Sequence, residues 1–531
     1  MEERLSNKTG GTMLSLQEIL YYAYFGCLLF AKGIGLYEGM MAFNLSIVLA
    51  LIFIGVKFLL TDYTIKEWVG MALIILCSLA AYFQTGEKAV IITCLTVFGI
   101  KNVPLKRIMK IAFAIWTVTF YGMFAVHLLG LKEEIVLAHN KFGLGFILRH
   151  SMGFPHPNVL HISFVIWMAL FLYLVSMNRN QLIKASVFLF FENIIVFVYS
   201  MSITGFLLGI LYLILNFYFA ARKEFCICER ILIQSVLPLC ILLSIIPPLF
   251  FQGRLYDIVN KLLNTRLKIW RYYLTTFTPR LFGTRVWSPA DETLSMDCSY
   301  LYLLYYYGII LFVLITGIFG YVIWKDTKEN RKKELAIILG MLIAGITEPY
   351  LFNFSFKNII LLFAGSALFE VLEKIEGKRL TILPFCNRDI EIILSEKICG
   401  RLKEIKEIIC YLSCKNRKLL ALCAIIAGII GAICSGLGYQ EPDRIYVRSD
   451  RCDYVEGDGI TLDEIPEKKF LIYGYVNEET RFYGFDGNMI VLERMRVWLA
   501  GMMGGFLIGT VLFFGAICYN QLVLNRKRES L

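Results

Sequence analysis

Apolar residues run through this sequence in long blocks separated by short polar or basic stretches. A helix needs roughly 20 such residues to cross the hydrocarbon core of a bilayer. Read that way, the pattern predicts about fourteen membrane helices. They lie near 14–32, 41–60, 68–83, 88–104, 108–130, 158–176, 182–200, 204–221, 231–251, 300–324, 335–353, 358–373, 418–437 and 497–519. The block near 88–104 is short and ends at Lys101, which leaves a full crossing and a re-entrant segment both open. The expected fold class is an all-α polytopic membrane protein with a large outer loop. A small α/β outer segment is expected between the last two spans.

Basic residues set the sidedness. Lys325–Glu334 holds five in ten, segment 374–418 is rich in Lys and Arg, and Arg526, Lys527 and Arg528 sit in the tail. Alternating spans put these on one side, which the positive-inside rule makes cytoplasmic. Both termini are then cytoplasmic, in a multi-pass protein of the cell membrane. The outer face receives 131–157, 251–299 and 438–495, with short turns at 200–204 and 348–358.

Composition agrees with the pattern. Hydrophobic residues make up 58% of the 531 and charged ones 18%, with a mean hydropathy of +0.65. A soluble domain is nearer 45–50% apolar and about 25% charged, so a soluble multidomain enzyme is excluded. The net charge of +11 is chiefly a marker of cytoplasmic loops and does not point to nucleic acid. The 15 cysteines form no disulfide framework. Cys226/Cys228 and Cys410/Cys414 lack a nearby His or second pair, so neither a metal nor another cofactor is expected. The polar start and the run of further spans predict no cleavable signal peptide.

Candidate chemistry gathers on the outer face. All five histidines fall between His127 and His161. Arg149, His150, His156 and Asn158 lie in one outer loop, and prolines bracket His156. Two readings stay open: a rigid loop in which Asn158 caps the next helix, or a site with Arg149 for an anion and His156 for a proton. The next outer loop carries seven bases against four acids, from Arg254 to Asp297. Guanidinium groups suit phosphate, so a basic loop above a membrane cavity suits an anionic lipid head group. Glu192 and Glu348 lie in spans, where carboxylates are costly and mark candidate sites. Pro247 and Pro248 should kink the span that leads into the basic loop.

Over about residues 15–375 these pieces resemble the oligosaccharide repeat-unit polymerases of the Wzy type. Arg149–Asn158 is similar to the family's "R…GF.HPN" signature. Ser200–Gly205 resembles its "S.TG" element, although Ile203 stands where Arg is frequent. Arg266–Arg271 followed by Leu281–Gly283 resembles "R…W…LFG". Asp297–Leu304 followed by Gly308 resembles "D..YL.LL…G.I". Ile346–Asn353 resembles the late span with its Glu and Asn. Some polymerases pair Arg and Gly ten residues apart, whereas Arg271 and Gly283 have eleven between them. O-antigen ligases share the architecture.

The resemblance implies a metal-independent glycosyltransferase that polymerises undecaprenyl-pyrophosphate-linked oligosaccharide repeat units for a cell-envelope polysaccharide. It implies Arg266, Arg271 and Arg285, with Arg149, for the pyrophosphate. His156 and then Glu348 are candidates for acceptor activation, and Asn158, Thr204 and Asp297 for orienting loops. Membrane lipid is a further partner, with a chain-length regulator or a flippase as protein partners. A ligase acting on another acceptor is the alternative within the enzyme class. A lipid-linked oligosaccharide transporter is the alternative outside it, although no internal repeat is visible.

Residues 1–375 are thus the polymerase- or ligase-like domain. Segment 376–417 is expected to be a cytoplasmic linker, with Ile390, Leu394, Ile398, Ile405, Ile409 and Leu412 on one face of an amphipathic helix over 386–416. Residues 418–531 form a two-span module around an acidic outer segment, 438–495, with thirteen acids and seven bases. Runs such as 469–476 and 481–485 predict short strands. Small-residue ridges at Ala424, Gly428, Ala432 and Gly436, and at Gly501, Gly505 and Gly509, predict close helix packing with each other or across protomers. Span, outer segment and Gly-rich span together resemble a reduced chain-length regulator.

Overall fold

The computed structural model describes residues 12–132, 134–140, 146–288, 295–353, 357–374, 377–384, 389–392, 417–439, 444–448, 471–473, 482–484 and 487–529. The chain is mostly helical, and each apolar block carries a helix. Among the described residues ten helices are long and apolar enough to cross a membrane. They are Met41–Leu60, Ile65–Thr85, Leu105–His127, Pro157–Leu174, Arg179–Ser200, Ile203–Ala221, Ile227–Phe250, Ser299–Lys328, Lys418–Leu437 and Ile490–Ala516. Leu16–Gly33 carries Glu18 and Lys32, and Ala89–Gly99, Lys332–Ala344 and Ile360–Leu372 are shorter.

The short helices are interior elements. Ala89–Gly99 and Ile360–Leu372 are buried along most of their length and touch at Gly365, where a Cβ would lie 2.6 Å from the Val97 carbonyl. Lys332–Ala344 is covered almost all round, and Tyr212 donates to the Ile337 carbonyl at 2.7 Å. It stops well before the expected end near 353. Glu348 precedes Pro349 and is extended, at φ −135° and ψ 134°, because proline disfavours helical geometry in the residue before it. The stretch 348–352 is instead strapped to the start of Ser299–Lys328. Ser299 Oγ donates to the Glu348 carbonyl at 2.5 Å, and Tyr307 donates to the Phe352 carbonyl at 2.8 Å.

The helix Ser299–Lys328 has a π-turn at Leu303–Tyr307, ended by Gly308 at φ +84°. The loop 251–298 docks there. Thr284 N–H donates to the Tyr305 carbonyl at 2.7 Å, and Ile309 N–H donates to the Arg280 carbonyl at 3.0 Å. Gly283 and Gly308 meet backbone to backbone: a Cβ on Gly308 would lie 2.3 Å from the Gly283 nitrogen. Both glycines are also left-handed, with Gly283 at φ +88°, so no other residue fits either place without strain. Upstream, the loop is a helical hairpin, Gly253–Leu262 and Arg266–Thr276.

Near the C-terminus Arg417–Leu437 and Gly487–Glu529 pack on each other. The second expected ridge is used: a Cβ on Gly505 would lie 2.1 Å from the Ala427 carbonyl. On the first helix the expected Gly428 and Gly436 lie against Phe506 and Trp498, and the contact also takes in Ala427, Gly431 and Ser435, with Gly501 abutting Gly431 and Ser435. Among the described residues three short strands lie between the two helices, Arg444–Arg448 paired parallel with Leu471–Tyr473 and antiparallel with Phe482–Gly484. In the linker, Asp389–Ile392 is a strand paired antiparallel with Thr12–Ser15. The alternating Asp-Ile-Glu-Ile run suits a strand, so Ile390 does not lie in a helix. The rest of 386–416 is outside the described residues.

Candidate functional site

The hairpin of strands Val136–Asn140 and Phe146–His150 delivers Arg149 and His150 side by side. Successive strand residues point to opposite faces, so the two neighbours enter different surroundings. Arg149 is 2% exposed. Its Nε donates to the Ser200 carbonyl at 3.0 Å, and its guanidinium also donates to Asn158 Oδ1. Burial lowers the Arg149 pKa to about 10, against the opposing charge of Glu348 and with the like charge of Arg266.

Asn158 therefore holds Arg149, and the helix cap falls to His156. Its Nδ1 accepts from the Asn158 N–H at 3.0 Å. Pro157 at the first helical position has no N–H to give, so the bond falls on the next residue. His156 thus uses one ring nitrogen in structure. Ser202, not Thr204, caps Ile203–Ala221. The glycine after Thr204 has a separate reason: a Cβ on Gly205 would lie 2.5 Å from His161 Cγ. His161 is buried and bridges Ser200 Oγ at 2.9 Å and Asn193 Oδ1 at 2.8 Å. Asn193 Nδ2 in turn donates to the Phe206 carbonyl at 3.0 Å. This chain of bonds ties three helices together beneath Arg149. Glu192, next to Asn193, has one oxygen without a hydrogen-bond partner among the described residues.

From the other side come Arg266, Asp297 and Glu348. Arg266 begins the helix Arg266–Thr276, and its Nε lies 2.6 Å from Asp297 Oδ2. Trp270, one turn on, donates to Asp297 Oδ1 at 3.0 Å. Burial raises the Asp297 carboxyl pKa above its ordinary value, and the Arg266 charge works against that rise. Glu348 is 8% exposed. Its Oε1 lies 3.7 Å from Arg266 Nη2, beyond hydrogen-bond reach, and has no other hydrogen-bond partner among the described residues. The strap from Ser299 to the Glu348 carbonyl explains why Asp297 and Glu348 are neighbours.

A lysine that sequence reasoning passed over completes the cluster. Lys357 is 6% exposed, and burial and the like charge of Lys32 lower its pKa to about 7, against the pull of Glu348. A lone lysine in a short turn between two apolar blocks was the available signal. Among the described residues the buried cations Arg149, Arg266 and Lys357 thus outnumber the carboxylates Asp297 and Glu348.

Two expected residues lie elsewhere. Arg271 donates to the carbonyls of Pro248 and Phe251 and stacks on Tyr256 at 3.9 Å. It closes the end of Ile227–Phe250, whose last carbonyls have no helical partner. Arg285 is exposed. Among the described residues no group of His, Cys, Asp and Glu is placed to hold a metal ion.

His150 enters a second knot. Its Nδ1 lies 3.0 Å from Glu134 and its Nε2 3.2 Å from Glu493 of the last helix. Arg496, 2% exposed, pairs with Glu493 and donates to the carbonyls of Leu148 at 2.7 Å and Val198 at 2.8 Å. Tyr199 donates to the Arg496 carbonyl at 2.8 Å. Burial opposes protonation of His150, but the bonds to Glu134 and Glu493 outweigh it and raise its pKa to about 9. The C-terminal module is thereby fastened to the two segments, 148–150 and 198–200, that hold Arg149.

Comparison with protein-family models, with characterised proteins and with solved structures gives no match.

Proposed function

We propose that this protein is a membrane glycosyltransferase that extends a glycan carried on undecaprenyl pyrophosphate, on the outer face of the cell membrane, by polymerising oligosaccharide repeat units. The observation that carries the reading is the buried cluster of Arg149, Arg266 and Lys357 with the under-bonded carboxylate of Glu348. Cations held close in a dry site repel one another, and an anion relieves the repulsion. A pyrophosphate leaving group supplies that anion, and guanidinium and ammonium groups stabilise the charge it gains as the glycosidic bond breaks.

In the proposed reaction an acceptor hydroxyl attacks the anomeric carbon of the donor sugar. The new C–O bond forms as the bond to the pyrophosphate oxygen breaks. The bonding electrons leave with the undecaprenyl pyrophosphate, and the hydroxyl proton passes to a base. Glu348 is the stronger candidate for that base, because its Oε1 has no hydrogen-bond partner among the described residues while His156 Nδ1 caps a helix. Asp297 positions Arg266, and Asn158 positions Arg149.

The test is the glycan ladder of cells whose only copy of the gene carries Arg266→Ala, Arg149→Ala or Glu348→Gln. The expected result is single repeat units from protein present at normal level in the membrane. Full-length ladders from all three variants would sink the assignment. Single-length product already in wild-type cells, joined to another acceptor, would replace polymerisation by ligation.

A further inference from the structure

A cleft of about 520 Å³ opens beside the charged cluster, bordered by Pro349 and Asn353 on the Glu348 strap and by Met296 next to Asp297. Its other walls carry Trp287, Tyr302, Tyr306 and Glu87. Tyr302 and Tyr306 lie with ring centroids 4.3 Å apart, and Tyr302 donates to Glu87. Trp287 is 62% exposed yet held: Phe277 meets its ring edge-on at 4.6 Å, and Tyr272 donates to its carbonyl at 3.2 Å. The volume is that of a small-molecule site. Besides Pro349 its aliphatic lining among the described residues is Val286 and Met296, while Lys32, Glu38, Ser288 and Ser295 add charge and hydroxyls, a wall too polar for an isoprenoid tail.

A sugar ring offers two kinds of surface. Its C–H faces pack on aromatic rings, and its hydroxyls give hydrogen bonds to carboxylates and amides. A fixed, exposed indole, paired tyrosines, a carboxylate and an amide around one cleft match both. We propose that this cleft is the acceptor subsite, binding the sugar rings of the glycan whose hydroxyl meets Glu348. The inference rests on the glycosyltransferase reading for the word acceptor, but glycan binding can be measured without it.

The experiment uses the full-length protein in lipid nanodiscs. The probe is the oligosaccharide repeat unit released by mild acid from the producing cells' own lipid-linked glycans. Saturation-transfer NMR should show signal on its ring protons with wild type, with Arg266→Ala and with Trp287→Phe. Trp287→Ala should weaken binding by about tenfold, since one stacked ring is worth that order, and should raise the KM for acceptor while leaving kcat within about twofold. No signal with wild type, or equal signal with Trp287→Ala, overturns the subsite, including the case in which Trp287 serves only as an interfacial anchor. Extension by wild type with an unchanged KM in Trp287→Ala removes the subsite and leaves the polymerase reading standing. Glycan binding that depends on Trp287, in a wild-type protein that extends nothing, keeps the cleft as a glycan site and removes the polymerase reading.

Discussion

Arg149 and His150 are consecutive residues on one strand, and they enter opposite kinds of electrostatic surroundings. His150 sits between Glu134 and Glu493, with Arg496 closing the circuit through the carbonyls of Leu148 and Val198. Arg149 faces a cluster in which one carboxylate oxygen of Glu348 has no hydrogen-bond partner among the described residues and Lys357 shares its space with Lys32. A buried network with its partners in place fixes a structure. A buried cluster with an unpaired acceptor and surplus cations is stable only because the surrounding straps hold it, and such places are where ligands bind. The two neighbours thus separate a joint from a site.

The comparison can be broken by substitution, and the largest effect should come from the joint. Removing one member of a buried ion pair typically costs about 3–5 kcal/mol. Glu493→Ala should therefore lower the thermal midpoint of the purified protein sharply, and an unchanged midpoint would remove the joint. Next in size is Arg266→Ala, for which loss of one cation aimed at developing charge predicts roughly a hundredfold to thousandfold fall in turnover. Glu348→Gln, which changes a carboxylate whose Oε1 has no hydrogen-bond partner among the described residues, should move the midpoint far less than Glu493→Ala. If the two variants behaved alike, the distinction between joint and site would be lost.

Gly505→Leu drives a side chain against the Ala427 carbonyl, and overpacking of this kind costs about 1–3 kcal/mol. It should loosen the C-terminal helix pair, seen as faster hydrogen exchange in Arg417–Leu437, with less effect on the hairpin. A further effect concerns pH. His150 titrates at about 9 in the folded protein against about 6.5 in an unfolded chain. The folded state binds the extra proton between these values, so its stabilisation is full below about 6.5 and is lost as the pH rises toward 9. The thermal midpoint should fall across that interval, and His150→Gln should flatten the fall.

The spans were legible because each is a long apolar block with polar ends. Where length alone was used, it overreached. Lys332–Ala344 stops before Glu348 because Pro349 forbids helix there, and the apolar block continues past that point without showing it. Arg149, Asn158, Arg266 and Asp297 were visible as polar groups between apolar blocks and Glu348 as a carboxylate within one, and the fold gathers them. Arg271 looked equivalent to Arg266 in sequence, five residues away on the same helix. A five-residue step turns a helical side chain by more than a quarter turn, which aims Arg271 at the end of Ile227–Phe250. His150 lay inside the motif, but its partners Glu134 and Glu493 are 343 residues apart from it in the farther case, beyond any local pattern. Glycines 283 and 308 read as parts of two separate motifs and prove to be one contact.

The cluster around Arg149, Arg266 and Glu348 is the proposed centre of glycan transfer from undecaprenyl pyrophosphate. The most direct measurement is chain extension by the purified full-length protein in proteoliposomes supplied only with its lipid-linked repeat unit. A ladder of lengthening lipid-linked glycans with release of undecaprenyl pyrophosphate is expected, abolished by Arg266→Ala in protein that reconstitutes at the wild-type level. Wild-type protein that releases no pyrophosphate-linked lipid, or Arg266→Ala protein that builds the same ladder, would contradict that role.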